Sequence, residues 1–154
     1  HTNDRRQRQM CIRDRFSCMS KIIKCNDLNI KIYVEDTDFQ GVVYHSNYLK
    51  FFERSRSEFL EKNNIPQKKL ITSGNAFVVK SIEVQYLASA KLGDEVIVES
   101  NVEKISNARL LFHQKVFEAE KNSDLVNGKV EVCFVDLATK KPQKFSDDLL
   151  LIFK

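Results

Sequence analysis

The residues most suited to chemistry lie between positions 33 and 59. Asp36 and Asp38 form an acidic segment that leads through Gly41 to His45, and the pattern after His45 predicts a helix. A carboxylate can attack a carbonyl carbon or activate water, and backbone amides at a helix N-terminus can stabilise the resulting oxyanion. A carboxylate, a glycine and a helix N-terminus within ten residues therefore indicate acyl-transfer chemistry.

The helix is predicted from about Asn47 to about Lys62, with Ser46 or Asn47 as its N-cap. It ends before Pro66, because the residue preceding a proline disfavours helical geometry. At about 100° per residue, one face of the helix carries an aromatic stripe that must be covered by other elements. The stripe consists of Tyr48, Phe51, Phe52, Ser55 and Phe59.

Strand patterns occur on both sides of the helix. A half-buried strand is predicted at residues 29–34, and alternating apolar side chains predict four longer strands. These lie at residues 76–88, 95–105, 109–119 and 125–136. No helical pattern separates the four strands, so antiparallel meander connections are predicted.

Two further segments carry weaker patterns. Asn127-Gly128 could form a hairpin turn, but the flanking strands would be too short, so we predict a bulge or a close backbone approach there. Residues 145–153 are predicted to form a short helix or strand. One long apolar helix and a strongly curved antiparallel sheet that bury each other make an α+β two-layer domain.

Residues 1–20 differ from the rest of the chain, with five arginines, two cysteines and no periodicity. The run RRQRQMCIRDR resembles the translation of a sequencing adaptor, in which case Met19 is the native start. A basic arm for nucleic acid or membrane is the alternative. We predict residues 1–20 to be disordered or non-native, and residues 21–154 to form one domain.

Composition excludes several functional classes. The net charge of +4 is mild, so it could help to attract an anionic ligand but is no signature of nucleic-acid binding. No apolar run approaches the roughly 20 residues that span a bilayer, which predicts no transmembrane helix. The four cysteines form no C-x-x-C pair, and no His, Cys and carboxylate cluster has ligand spacing. We therefore predict free thiols, no metal site and a cytoplasmic location.

The segment EDTDFQGVVYHSNYLKFFERSRSEF resembles the YbgC-like acyl-CoA thioesterases of bacteria, hotdog-fold relatives of 4-hydroxybenzoyl-CoA thioesterase. The segments AFVVKSIEVQYLASAKLGDEV and VCFVD also fit, so the resemblance covers residues 29–153. It implies a hotdog fold, in which a curved antiparallel sheet wraps around one long central helix, and hydrolysis of acyl-CoA to a free acid and CoA. Phe39-Gln40 stands where small residues are common in the family, which bears on substrate preference.

The resemblance also implies roles for single residues. Asp38 matches the family's catalytic carboxylate, as nucleophile or as general base, and a turn aspartate is the alternative. The backbone amide of His45 matches the oxyanion donor, and the imidazole either orients substrate or water or is a plain loop histidine. Gly41 allows an unusual backbone geometry or close approach of substrate. Tyr44 lines the acyl pocket or belongs to the core.

Charged residues outside the loop are further candidates for substrate binding. Glu53 and Arg56 lie three apart on the helix and are predicted to form an ion pair, although some hotdog relatives use a helix glutamate in catalysis. Lys80, Lys91 and Arg109 are candidates for the CoA phosphates, with solvated strand-end charges as the alternative.

The same resemblance implies the partners. CoA is part of the substrate, and no metal or separate cofactor is needed. A homodimer with shared sites is expected, often paired into a tetramer, and acyl carrier protein is a possible partner. The main alternative is a binding protein that holds acyl-CoA or acyl carrier protein without turnover. A dehydratase on the same fold is a weaker one, since its histidine would lie in a different loop.

Overall fold

A computed structural model describes residues 21–154, and the predictions made for residues 1–20 lie outside it. The helices are α1 (Asn47–Lys62), α2 (Gln67–Thr72) and α3 (Asp147–Ile152), and a 3-10 turn spans Val34–Asp36. The strands are β1 (Ile22–Lys24), β2 (Leu28–Lys31), β3 (Asn75–Tyr86), β4 (Glu95–Lys104), β5 (Arg109–Glu118) and β6 (Ser123–Asp136). The long helix α1 begins and ends where the sequence predicts. The sequence analysis did not predict β1 or α2. The segment at residues 145–153, predicted as a short helix or strand, contains the helix α3.

All strand pairs of the described sheet are antiparallel, in the order β1-β4-β5-β6-β3, with β2 also paired to β4. The predicted meander is confirmed for β4, β5 and β6. It is wrong for β3, which pairs with β6 at the far edge of the sheet. The connection at residues 87–94 instead crosses the end of the sheet and bonds to the loop before α1, where the Val43 N–H donates to the Ala90 carbonyl at 2.9 Å.

The core lies between α1 and the inner face of the sheet. Every residue of the predicted aromatic stripe is buried, and Phe52 has no exposed surface. The inner side chains of the central strands cover the stripe; they are Val96, Val98, Val102, Leu110, Phe112, Val116, Val130 and Val132. This packing confirms the predicted α+β architecture, in which the sheet wraps around one long helix. Within residues 21–154, no helix is long and apolar enough to cross a membrane.

Two cysteines lie in the described part of the chain. Cys25 and Cys133 are free and buried, which confirms the prediction of free thiols for these two. Burial raises the pKa of Cys25 to about 12, so its thiol stays protonated at neutral pH and is a poor nucleophile.

Gly128 lies inside β6, where the strand packs against the Phe52 ring of α1. It pairs with Val84 and Gln114 in an unshifted register, so the predicted close approach is confirmed and there is no bulge at this position. A Cβ atom at Gly128 would lie 2.6 Å from the Phe52 ring. Glycine is therefore required here by packing.

Gly128→Ala is expected to lower the free energy of unfolding by about 1–3 kcal/mol, because the added methyl group forces the buried Phe52 ring to move. Urea denaturation measures the change. Gly128→Ala combined with Phe52→Leu should be less destabilised than the sum of the two single variants, because the smaller side chain makes room. If the double variant loses as much unfolding free energy as the two single variants together, the contact between Gly128 and Phe52 is contradicted.

Candidate active site

The acidic loop is a small hairpin that places Asp38 in its turn. Thr37 pairs with Val43, and the Asp38 N–H donates to the Val42 carbonyl at 2.9 Å. The Gly41 N–H closes the turn by donating to the Asp38 carbonyl at 3.0 Å. Gly41 has a φ of +80°, a left-handed conformation that glycine adopts without strain. This supports the backbone role predicted for it.

The Asp38 carboxylate is half-buried and held by its own turn. Its Oδ1 accepts a hydrogen bond of 2.8 Å from the Gln40 N–H. The turn role considered for this aspartate is therefore present in the structure. Its Oδ2 accepts no hydrogen bond from residues 21–154, which leaves one carboxylate oxygen for contact with a ligand.

Asp36 connects the hairpin to the start of α1. Its main-chain carbonyl accepts hydrogen bonds from the Tyr44 N–H at 3.0 Å and from Asn47 Nδ2 at 2.9 Å. Its carboxylate accepts from the Tyr33 N–H at 2.9 Å. All of these contacts are structural, since they hold the hairpin to the start of α1.

The main chain before α1 presents amides that have no partner in the protein. Ser46 is the N-cap, as predicted, but its side chain makes no capping hydrogen bond. Within residues 21–154, the N–H groups of His45 and Ser46 donate no hydrogen bond. These donors lie at the positive end of the helix dipole, which favours a developing negative charge.

Aromatic side chains surround His45. The Tyr44 ring lies 4.6 Å from the imidazole and is about half exposed, so the alternative that placed Tyr44 in the core is wrong. The Tyr86 ring stands edge-on to His45 at 6.2 Å, and its hydroxyl donates to the His45 carbonyl at 3.1 Å. Sequence reasoning missed Tyr86 as a site residue, because it lies in the strand predicted at residues 76–88, more than 40 positions from His45.

Tyr48 fixes the connection between β3 and β4 against the site. Its buried hydroxyl oxygen accepts a 3.0 Å hydrogen bond from the Ala90 N–H. Burial raises the pKa of Tyr48, so the phenol stays neutral. Because the Ala90 carbonyl accepts from Val43, one aromatic residue of α1 holds both the crossing connection and the hairpin.

The predicted ion pair between Glu53 and Arg56 does not form. Glu53 is exposed and accepts a hydrogen bond from the Ser57 hydroxyl. Arg56 is buried instead, and its Nη1 donates to Gln114 Oε1 at 3.0 Å. No carboxylate of the described chain lies within 4.0 Å of Arg56, because the helix turns its side chain under toward the sheet. Burial lowers the pKa of this guanidinium.

The three basic candidates lie in different places. Lys91 pairs through its main chain with Val42 of the hairpin whose turn carries Asp38. Lys80 is exposed on β3, at the register shift between Val79 and Ser81. Arg109 begins β5, at the end of the sheet away from the hairpin, and forms a 3.0 Å ion pair with Glu131. The structure thus brings only Lys91 to the loop.

The outer face of the sheet is polar. His113 lies there with Nε2 2.8 Å from Glu103 Oε2. A concavity of about 610 Å³ on this face is lined mainly by polar side chains from β3 to β6 and does not include Asp38 or His45. No cluster of three potential metal ligands occurs among residues 21–154.

Comparison with known proteins agrees with this architecture. Residues 32–153 match the family model described as the thioesterase-like superfamily. Acyl-CoA thioesterase YbgC of Haemophilus influenzae is 39% identical over 125 residues, which cover 80% of this chain and 90% of that protein. Acyl-CoA thioester hydrolase YbgC of Escherichia coli O157:H7 is 35% identical, covering 81% and 92% of the two chains.

Solved structures show the same fold. A probable thioesterase from Bartonella henselae aligns with a TM-score of 0.73 at 34% identity, covering 79% of this chain and 99% of that chain. A 1,4-dihydroxy-2-naphthoyl-CoA thioesterase from Synechocystis aligns with a TM-score of 0.80 at 19% identity, covering 84% and 95%. The likeness to the Synechocystis structure, at 19% identity, supports the fold alone.

Proposed function

The chain belongs to the thioesterase-like superfamily, and from this premise we propose that Asp38 and the His45 main chain hydrolyse acyl-CoA thioesters to a free carboxylic acid and CoA. The hotdog fold, the YbgC-like relationship and the class of thioester hydrolase follow from the comparisons. The observation that supports the proposed site is a carboxylate fixed by the Gln40 amide, beside a helix start with unengaged amides.

In the proposed reaction, Asp38 acts on the thioester carbonyl by one of two routes. As a nucleophile, it bonds to the carbonyl carbon and expels CoA thiolate, leaving a mixed anhydride that water hydrolyses. As a general base, it accepts a proton from the water that attacks. In both routes the His45 N–H stabilises the negative charge on the carbonyl oxygen, and such a donor typically contributes on the order of 10²–10³ in rate.

The substrate supplies the CoA group, and neither route requires a metal or a separate cofactor. We propose Lys91 as the first contact for a CoA phosphate, because it adjoins the hairpin that carries Asp38. Lys80 is the second candidate, exposed on β3. Arg109 is the weakest, since Glu131 already pairs with it. Tyr44, half exposed beside His45, is placed to contact the acyl group.

The family resemblance implies a homodimer. We propose that its two copies associate through the outer edge of β3. That edge pairs with no strand of the described chain, and it exposes Val78, Val79 and Ile82 by 44%, 48% and 40%. An unpaired apolar edge strand is a template for pairing with another chain. Tyr86, at the end of β3, contacts His45, so a second copy on this edge would adjoin the site.

Val79→Lys together with Ile82→Lys is expected to convert a dimer or tetramer to a monomer and to lower hydrolysis, because charges would be placed in an apolar contact. Light scattering after size-exclusion chromatography measures the assembly. Leu151→Lys on α3, an exposed apolar residue away from this edge, is the control and should keep the assembly. A monomeric parent protein would contradict the proposed interface.

The decisive assay for the proposed function measures free thiol released from short, long and aromatic acyl-CoA substrates. Wild-type protein is expected to release CoA catalytically from at least one of these classes. Tight binding of acyl-CoA or acyl carrier protein with no release from any thioester would assign the chain instead to the non-catalytic binding proteins.

A further inference from the structure

The main chain at His45 is held by hydrogen bonds to two carbonyls, that of Tyr44 and that of His45 itself. The Tyr44 carbonyl accepts a 2.9 Å hydrogen bond from the Asn47 N–H, a contact made within the start of α1. The His45 carbonyl accepts the 3.1 Å hydrogen bond from the Tyr86 hydroxyl, which comes from another element. Both peptide planes that meet at His45 are therefore oriented, while their N–H groups remain without acceptors within residues 21–154.

Tyr86 is well supported for this contact. Its main chain pairs with Val126 of β6, and the next two amides, of Leu87 and Ala88, both donate to the Leu125 carbonyl. Its ring also contacts the buried Tyr48 ring at 6.0 Å. A hydroxyl carried on a paired strand holds a peptide more firmly than a loop or solvent would.

We propose that Tyr86 is a positioning residue for thioester hydrolysis, whose hydroxyl sets the orientation of the His45 main chain. The inference rests on the proposed function, in which the His45 N–H stabilises the oxyanion. The His45 carbonyl and the His45 N–H lie on either side of one Cα atom. The Tyr86 hydroxyl fixes the peptide plane that joins His45 to Ser46, and this plane meets the plane of the His45 N–H at the His45 Cα atom. Holding the one plane restricts rotation at this Cα atom and so limits the directions that the His45 N–H can take.

Small errors in this direction matter for the rate. An oxyanion donor acts only when it lies within hydrogen-bond distance of the developing charge, and a displacement of about 1 Å can cost on the order of 10² in rate. The Tyr86 hydroxyl also polarises the His45–Ser46 peptide, which strengthens the Ser46 N–H as a donor beside it. Neither effect requires Tyr86 to touch the substrate.

The test is Tyr86→Phe, which keeps both ring contacts and removes only the hydroxyl. It is expected to lower kcat about tenfold, with KM within about twofold and the melting temperature unchanged, because one orienting hydrogen bond is lost. Tyr33→Phe is the matched control, since the Tyr33 ring is exposed and contacts the Lys31 side chain rather than His45. Its kcat should stay within about twofold of wild type.

The outcomes separate this inference from the proposed function. Wild-type kcat in Tyr86→Phe, with an active parent enzyme, overturns the positioning role and leaves the hydrolase assignment standing. A parent enzyme that releases no thiol from any acyl-CoA overturns both. If Tyr86→Phe dissociates and regains full kcat at concentrations that restore the assembly, the residue serves the interface and the inference is wrong.

Discussion

Asp38→Asn is expected to lower kcat for thioester hydrolysis on the order of 10³-fold while leaving the fold intact. The asparagine Oδ1 can accept the same hydrogen bond from the Gln40 N–H, so the turn is kept. The neutral amide can neither attack the carbonyl carbon nor accept a proton from water. Thiol release gives the rate, and thermal unfolding shows that the turn survives.

Asp36→Asn is the matched control for this experiment. It makes the same chemical change two residues earlier, where the Oδ atom accepts only the structural hydrogen bond from the Tyr33 N–H. Its kcat should remain within about threefold of wild type. Equal thiol release by Asp38→Asn and wild type would refute the role assigned to Asp38.

An experiment on the wild-type protein distinguishes the nucleophilic route through Asp38 from the general-base route. In a single turnover in oxygen-labelled water, nucleophilic attack forms a mixed anhydride on Asp38, and attack of water on its aspartyl carbon places labelled oxygen in the Asp38 carboxylate. General-base catalysis places the label only in the released acid. Mass spectrometry of the peptide that contains Asp38 measures the difference.

Gln114→Leu is expected to lower the free energy of unfolding by about 3–5 kcal/mol, because it leaves the buried Arg56 guanidinium without its partner. Gln114 accepts from Arg56 Nη1 at 3.0 Å and donates to the Phe52 carbonyl at 3.0 Å and to Ser100 Oγ at 2.8 Å. Ser100 in turn bonds to Ser55 at 2.8 Å, so one side chain connects α1 to β4 and β5. Urea denaturation measures the loss.

A double variant tests whether the charge is the cause. Replacing both Arg56 and Gln114 with leucine should restore part of the lost stability, since no buried charge then lacks a partner. Gln143→Leu is the control, because the Gln143 side chain makes no hydrogen bond within residues 21–154, and it should change stability by less than about 0.5 kcal/mol. Wild-type stability in Gln114→Leu would contradict the structural importance of this network.

Patterns of short sequence range predicted most local features of the domain. The bounds of α1 follow from its N-cap and from Pro66, and its apolar stripe is buried as periodicity requires. The close approach at Gly128 followed from a glycine inside a strand pattern. The acidic turn at Asp38 was likewise evident, because a turn is encoded by the few residues that form it.

Features that depend on distant partners were not predicted. The helix, the strands and the loop that carries Asp38 could be predicted from local patterns, because hydrophobic period and turn chemistry act between near neighbours. Only the tertiary structure placed β3 at the far edge, turned Arg56 toward Gln114 and brought the Tyr86 hydroxyl to His45. The two side-chain contacts join residues 58 and 41 positions apart, and strand order and side-chain direction in the assembled core decide which such pairs meet.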